Sequence, residues 1–304
     1  MNYEVFKESL IDNVRGRVGQ GVIIRTDVVS KNNGKQKEGI IVELGNTIFP
    51  IIYLDDLFDK YNSGWSIKEI VEMIMSLYLS SSDDVKDKVS ILLNGEWEKI
   101  KDIIEVCVIN KEWNTEQLKR LPHVEYLDLA LVFRIVMDKT EQGTMSCLVT
   151  NDLINKLGIS REELVETAMA RFDTSCYYIS TLTGVIKECM KSTEDEEIFD
   201  SIIESMDNEP PIYVLSNCTR LHGAAGIARI DIISKFANML EKDLYILPSS
   251  IHELLLLPVK EDCAVEDLRN MVRNVNAEQV EPEERLSDNV YYFDREKGLL
   301  EIAA

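Results

Sequence analysis

The segment best able to carry out chemistry is Y-I-L-P-S-S-I-H-E-L-L-L-L-P, which runs from Tyr245 to Pro258. It places Ser249, Ser250, His252 and Glu253 between two apolar runs. A hydroxyl, an imidazole and a carboxylate are the groups that a serine hydrolase combines as nucleophile, base and orienting group. The same residues are typical of a turn, because serine hydroxyls bond to nearby backbone groups. The segment therefore predicts either a reaction centre or the turn of a hairpin.

The spacing within this segment favours the turn. If residues 251 to 257 form a strand, Ser250 and His252 lie on one face and Glu253 points to the other, so Glu253 does not orient the imidazole. A hydrolase would then need a distant carboxylate, such as Asp128. It would also need donors for an oxyanion, and the chain has neither G-x-S-x-G nor a glycine-rich oxyanion loop. The polar residues of the segment remain the catalytic candidates, and a structural turn is the favoured interpretation.

Metal and phosphate sites have less support. His252-Glu253 is not followed by the second histidine of an H-E-x-x-H zinc motif. Cys218 and His222 would share a face only if the residues between them were helical, and two ligands do not complete a zinc site. The small residues G-A-A-G, Gly223 to Gly226, could receive an anion at a helix start, but close backbone packing explains them equally well. The sequence predicts no metal and no cofactor.

Composition bounds the class of protein. The 304 residues are enough to bury a core without covalent links, and the six cysteines form no C-x-x-C pair, so we expect reduced, mostly buried thiols. The net charge of -21 disfavours nucleic acid and membranes as partners, because basic residues are interleaved with acids. No run approaches the about 20 apolar residues that span a bilayer, and the first residues do not resemble a secretory signal. We expect a cytoplasmic protein.

Hairpin and helix-capping patterns predict the secondary structure of the first part of the chain. Apolar residues at helical spacing predict an opening amphipathic helix. Two apolar strands flank K-N-N-G-K, where Asn33-Gly34 supplies the positive φ angles of a tight two-residue turn. Ser66 and Glu69 form a capping box ahead of another amphipathic helix. The run I-I-E-V-C-V-I-N is an element of uncertain type, and Asn114 predicts the cap of a short helix.

The second part of the chain is richer in strand patterns. L-D-L-A-L-V-F-R-I-V-M and T-M-S-C-L-V-T-N predict a hairpin, and Ser160 with Glu163 forms a capping box for the next helix. The acidic run M-K-S-T-E-D-E-E-I-F-D is interpreted as a solvated helix start or loop. Hairpins and helices without regular βαβ alternation predict an α+β fold of mixed, largely antiparallel sheets. We expect a region 1–120 and a region 121–304, or a single domain.

Several phrases of the sequence occur together in one known family. They are V-S-K-N-N-G-K, I-F-P-I-I-Y-L-D-D-L-F-D-K-Y-N-S-G, V-I-N-K-E-W-N with L-P-H-V-E-Y-L-D-L-A-L-V-F, P-P-I-Y-V-L-S-N, L-P-S-S-I-H-E, and M-V-R-N-V-N followed by L-S-D-N-V-Y-Y-F-D. In this order, over nearly the whole chain, they resemble the uncharacterised bacterial family catalogued as domain of unknown function 5688. The chain is also distantly similar to the bacterial family named after YtpQ. The resemblance implies an architecture and a cytoplasmic location, without catalytic residues.

The recurrent phrases predict residues that could meet in the fold. They mark either a shared surface or the turns and strand ends that fix the fold, and the second interpretation is favoured. The residues of the possible shared surface are Asn32, Asn33, Tyr53, His123, Asp128 and Asn217.

The expected function is binding rather than catalysis. The sequence contains no complete catalytic set, whereas an acidic surface attracts a cationic partner. We therefore expect a non-enzymatic macromolecule-binding or regulatory protein whose partner is a protein, with a basic partner favoured by the charge. The alternatives are a hydrolase or small-ligand enzyme that uses P-S-S-I-H-E, and an acidic mimic of DNA.

Overall fold

The structure is a computed structural model of the chain. It describes residues 1–18, 22–44, 47–48, 51–80, 83–140, 143–190, 211–260 and 263–304. Within these residues the strands form three sheets in which every pair is antiparallel, and helices pack against them, which confirms the predicted α+β fold. Beyond Met190, the acidic run predicted to be a solvated helix start or loop lies outside the described residues.

The predicted N-terminal hairpin is the main part of the first sheet. β1 (Val22–Ser30) and β2 (Gln36–Leu44) pair over their whole length. The connection, residues 31 to 35, is longer than the predicted two-residue turn and contains a 3₁₀ turn. Its two ends are joined by a backbone hydrogen bond of 2.7 Å, which closes the loop outside the asparagines. Asn33 and Gly34 have the expected positive φ angles, 57° and 70°.

The N-terminal helices pack on this sheet and form a separate core. Phe6 and Leu10 from the first helix are fully buried with Leu54 and Ile70 from the next two, against Ile40 of β2. This burial of large apolar side chains stabilises the layer. The other elements of this part are α1 (Tyr3–Arg17), β3 (Thr47–Ile48), β4 (Ile52–Tyr53), α2 (Leu54–Asn62) and α3 (Ile67–Ser80). The next helix, α4 (Asp83–Asn94), packs instead against the core of the other two sheets.

The predicted capping box of Ser66 and Glu69 forms in both directions, whereas that of Ser160 and Glu163 forms only the bond to the serine hydroxyl. Ahead of α3, the Ser66 N–H donates to Glu69 Oε2 at 2.8 Å, and the Glu69 N–H donates to Ser66 Oγ at 3.2 Å. In the second box the Glu163 N–H donates to Ser160 Oγ at 3.0 Å. These contacts satisfy backbone donors that a helix start leaves unpaired.

β7 (Leu129–Thr140) is the central strand of the second sheet. It pairs with β5 (Ile104–Asn110) on one edge and with β6 (His123–Tyr126) and β8 (Gly143–Leu148) on the other. The hairpin of β7 and β8 was predicted and is confirmed, whereas the run of uncertain type is strand β5. Because β5 pairs with β7, the expected division at residue 120 falls within this sheet and stays a prediction. The helices of this part are α5 (Trp97–Ile100), α6 (Thr115–Leu118), α7 (Asn151–Leu157) and α8 (Arg161–Thr174).

The third sheet has the strand order β14-β13-β11-β12-β10-β9. Its inner face and the second sheet enclose the main core, which includes Phe133, Leu215, Ile246 and Phe293. None of the helices that the structure describes is long and apolar enough to cross a membrane. The elements are β9 (Tyr177–Thr181), α9 (Leu182–Met190), β10 (Tyr213–Asn217), α10 (Ile230–Leu240), β11 (Leu244–Pro248), β12 (Leu254–Pro258), α11 (Val265–Glu278), β13 (Tyr291–Asp294) and β14 (Leu299–Ile302).

The expectation that all six cysteines are reduced is wrong for one pair. Cys176 and Cys218 form a disulfide, with their Cα atoms 5.8 Å apart. In the register of β9 and β10, Tyr177 lies opposite Asn217, so the two cysteines face each other just beyond the strand ends. This separation is usual for a disulfide. The free cysteines that the structure describes are Cys107, Cys147 and Cys263.

Candidate functional site

The P-S-S-I-H-E segment is the turn between β11 and β12. The predicted strand from residue 251 begins only at Leu254, because two backbone N–H groups bond outside the hairpin ladder. The Ile251 N–H donates to the Glu284 carbonyl at 2.8 Å, and the His252 N–H donates to Ser250 Oγ at 3.0 Å. The hydroxyl of Ser249 lies 3.4 Å from a carboxylate oxygen of Glu253. Both hydroxyls therefore contact groups within the turn.

The imidazole of His252 is oriented by groups that are distant in sequence. Its Nδ1 accepts a hydrogen bond from the His222 N–H at 3.1 Å, so in the neutral ring the proton is on Nε2. Nε2 lies 3.5 Å from Oε1 of Glu284. The carboxylate beside the imidazole is therefore Glu284 and neither Glu253 nor Asp128. No local spacing signal links these two residues, which are far apart along the chain.

His222 is a polar group buried beside this turn. Its ring centroid is 5.5 Å from that of His252, and its Nδ1 is inaccessible to solvent and has no hydrogen-bond partner among the residues that the structure describes. Burial lowers the pKa of His222 to about 3, with further contributions from Arg134, His252 and Lys31. The imidazole is therefore neutral at neutral pH. Its backbone φ is 56°, which asparagine also adopts readily.

We predict that acid destabilises the protein through His222. The pKa of His222 in the folded state lies below the unfolded value of about 6.5. Its contribution to the free energy of unfolding is therefore fully present above about pH 6.5, and it decreases as the pH falls toward the folded-state pKa. The decrease is at most about 1.4 kcal/mol per pH unit. The variant His222→Asn is expected to lose this part of the slope. Urea unfolding at a series of pH values measures it. His123→Asn is the control, and an unchanged slope in His222→Asn would contradict the prediction.

One segment, residues 281–291, is contacted by most of the recurrent polar residues, and we call it the strap. Asn32 and Asn33 of the N-terminal hairpin contact its first turn. The side-chain amide of Asn32 donates to the Glu283 carbonyl at 2.9 Å. The side-chain amide of Asn33 donates to two further strap carbonyls, each at 2.8 Å. These bonds dock the loop between β1 and β2 onto the strap.

Two asparagines of V-I-N-K-E-W-N extend this contact. The Asn33 N–H donates to Asn114 Oδ1 at 2.7 Å, and Asn114 Nδ2 donates to Asn33 Oδ1 at 2.9 Å. Asn110 Nδ2 donates to the Leu286 carbonyl at 3.2 Å. Asn114 was predicted to cap α6, and it does occupy that position, but its side chain makes no capping bond there. Its oxygen is already used by the Asn33 backbone.

Asp128 joins the second sheet to the far end of the strap. Its carboxylate accepts hydrogen bonds from Ser287 Oγ at 2.6 Å, Asn289 Nδ2 at 3.0 Å and the Tyr291 hydroxyl at 2.9 Å. Tyr291 is fully buried, and burial together with the Asp128 charge holds the pKa of its phenol well above the usual value. Asp128 is therefore a structural acceptor rather than the orienting group of an imidazole.

The remaining phrases also reach the strap or its neighbours. Asn276 of M-V-R-N-V-N donates to the Ser287 carbonyl at 3.0 Å and to the Asp288 carboxylate at 2.8 Å. Tyr53 lies under the amine of Lys31, whose Nζ is 4.0 Å from the ring centroid, at the base of the docked loop. Five of the recurrent phrases thus contribute a side chain or a backbone group that contacts the strap.

Two residues of the possible shared surface lie apart from the strap. Asn217 holds the loop after β10, since its amide donates to the Leu221 carbonyl at 2.8 Å and its oxygen accepts from the Thr219 N–H at 3.1 Å. His123 lies on β6, where Nδ1 is 2.9 Å from the Leu121 carbonyl. The structure therefore gathers Asn32, Asn33 and Asp128 on the strap, and places Tyr53 beside it.

The structure also bears on the metal and anion alternatives. Cys218 is part of the disulfide and is not a thiolate ligand. Among the described residues, no group of three or more histidine, cysteine, aspartate or glutamate side chains is placed to hold a metal ion. The G-A-A-G residues form a short 3₁₀ turn, Gly223–Ala228, which is packed closely against the turn at His252.

These features define an α+β protein of antiparallel sheets in which recurrent polar residues converge on a single strap. The chain matches the model of a family of unknown function (DUF5688) over residues 3–295, and it belongs to that family. This confirms the resemblance found in the sequence, while the distant similarity to the YtpQ family stays a prediction. No curated protein and no solved structure gives a significant match.

Proposed function

We propose that the protein binds a basic protein partner through the surface formed by the strap and the P-S-S-I-H-E turn. The observation that carries this proposal is the fixed position of two acidic residues at the start of the strap. The Glu284 N–H donates to the Glu281 carbonyl at 2.8 Å, so the two residues lie on one turn. Glu281 is exposed, and the Glu284 side chain is 46% exposed beside His252.

The contacts around this turn favour recognition of another molecule over covalent catalysis. A hydrolase needs a serine hydroxyl within hydrogen-bond reach of an imidazole. Here Ser250 accepts from a backbone N–H, Ser249 faces Glu253, and the His252 ring faces a backbone N–H and Glu284. A rigid arrangement of this kind lowers the entropic cost of binding. The net charge of -21 further favours a cationic partner.

The proposed location is the cytoplasm, in line with the composition and with the free cysteines that the structure describes, Cys107, Cys147 and Cys263. A basic cytoplasmic protein is therefore the partner class to seek. Its association rate should fall as the salt concentration rises, because exposed charges are screened over about 10 Å in moderate salt.

A pull-down with matched charge variants tests the proposal. Glu281→Gln with Glu284→Gln is expected to weaken binding of the partner about three- to tenfold, since each exposed ion pair contributes about 0.2–1 kcal/mol. The control, Glu98→Gln with Glu116→Gln, removes the same charge from exposed positions elsewhere. Partners retained from bacterial extract are identified by mass spectrometry, and their binding to purified protein is measured at low and high salt.

The outcomes separate the proposal from its alternatives. Support requires an identified partner, rich in lysine and arginine, whose binding is salt-dependent and sensitive only to the strap variant. Equal loss in the control variant would indicate a general charge effect and would contradict a site on the strap. An active-site serine probe that labels folded protein would favour the hydrolase instead.

A further inference from the structure

A cavity of about 230 Å³ opens beside the disulfide, away from the strap. It lies between β5, α8 and the ends of β9 and β10, and both Cys176 and Cys218 line it. Both cysteines are exposed residues. Lys139 and Arg171 also line the cavity, so two cationic side chains face the space next to a disulfide that solvent can reach.

The cavity wall has a net positive charge within an acidic protein. Glu105 is the acidic residue of the lining, and it is paired twice: Lys139 Nζ and Arg134 Nη2 each lie 2.6 Å from one of its carboxylate oxygens. The pKa of Glu105 is lowered by these two partners although burial acts in the opposite direction. Arg171 lies 3.7 Å from Asp102, its Nε donates to the Ile104 carbonyl at 3.4 Å, and its side chain is 43% exposed. An anion of small size is therefore favoured here.

The disulfide is better placed for reaction than two of the free thiols. Burial raises the pKa of Cys107 to about 12 and that of Cys147 to about 11, which keeps both protonated and unreactive. The disulfide lies at the strand ends, where Asn217 holds the loop that carries Cys218 through its bonds to Thr219 and Leu221. Asn217 does not contact the strap, and its contacts instead fix the loop beside the disulfide.

We propose that the Cys176–Cys218 disulfide exchanges with a small anionic thiol that binds in this cavity. The thiolate of the small molecule attacks one cysteine sulfur, the bond between the cysteines breaks, and its electron pair leaves on the other cysteine as a thiolate. A second small thiol then attacks the mixed disulfide and releases the small molecule as its own disulfide. The protein gains two electrons and becomes a dithiol, and two small thiols are oxidised to one disulfide. Lys139 and Arg171 bind the anionic group.

Reduction kinetics with two thiols of similar size test the proposal. The probes are 2-mercaptoethanesulfonate, which carries a sulfonate, and neutral 2-mercaptoethanol. Opening of the disulfide is followed by alkylation and intact mass, and rates are expressed per thiolate. The sulfonate thiol is expected to react about fivefold faster, because a local cationic site concentrates anions. Without such a site the net charge of -21 would make the anionic thiol the slower one.

The variant Lys139→Gln with Arg171→Gln is expected to lose this preference while its rate with the neutral thiol stays similar. The control, Lys99→Gln with Lys119→Gln, removes the same charge at exposed positions elsewhere and is expected to keep the preference. If circular dichroism shows that the double variant is unfolded, Arg171→Gln alone is used and should reduce the preference. Equal rates for the two thiols, or a preference that survives in folded variants, would overturn the proposal. Neither result depends on partner binding at the strap.

Discussion

Replacement of Asp128 by alanine is expected to lower the free energy of unfolding by about 3 kcal/mol. The carboxylate accepts three hydrogen bonds from the strap, and bonds to a charged acceptor are the stronger ones. The variant would also leave the buried hydroxyl of Tyr291 without its partner, which adds a desolvation cost. Urea unfolding followed by circular dichroism at neutral pH measures the change.

Two milder variants show whether the loss comes from these bonds. Tyr291→Phe removes one donor and is expected to cost about 1–1.5 kcal/mol. Asp128→Asn keeps the shape and one acceptor oxygen, and it should fall between wild type and Asp128→Ala. A loss below about 1 kcal/mol for Asp128→Ala would mean that water replaces the carboxylate, and that the strap is held by other contacts.

Local patterns were sufficient for the parts of the fold that neighbouring residues decide. The hydroxyls of Ser66 and Ser160 accept from the backbone N–H three residues later, because that spacing places the two groups side by side at a helix start. The hairpin at Asn33 follows for the same reason, although its loop is longer than predicted. The longer loop is explained by tertiary contacts, because Asn33 forms hydrogen bonds with the strap and with Asn114.

Contacts across the chain could not be predicted in the same way. An asparagine side chain offers one acceptor and two donors, so its type alone is compatible with a cap, a turn or a long-range bond. Asn114 satisfies the pattern of a cap and nevertheless bonds to Asn33, 81 residues away. The disulfide also could not be predicted from local patterns, because the pairing of Cys176 with Cys218 depends on the register of β9 against β10.

The neighbours of the candidate site residues could not be predicted from the sequence. Glu253 follows His252 in the sequence, yet in the turn the two side chains have different neighbours. Glu253 contacts Ser249, whereas His252 lies beside Glu284 of the strap. His222 enters only because the turn after β10 lies beside the turn after β11. The geometry of such a junction depends on how closely two backbones approach, and glycine allows the closest approach because it has no Cβ atom.

Replacement of Gly223 by alanine is therefore expected to destabilise the protein by about 3 kcal/mol, at the upper end of the cost of overpacking. A Cβ atom at this position would lie 2.3 Å from Ser216 Oγ, 2.6 Å from the His252 carbonyl oxygen and 2.7 Å from the Asn217 nitrogen. Two of these atoms belong to the backbone and cannot rotate away. The turn at His252 would have to move off the end of β10.

The same chemical change at Gly16 is the matched control. A Cβ atom there meets nothing within 4 Å, and the residue lies in α1, so Gly16→Ala is expected to stabilise the protein by about 0.5–1 kcal/mol. Urea unfolding compares the two variants. If Gly223→Ala unfolds like wild type, the two turns tolerate separation, and the junction of His222 with His252 is not a rigid element of the proposed binding surface. If it is destabilised as expected, close approach of two backbones is what the small residues of G-A-A-G provide.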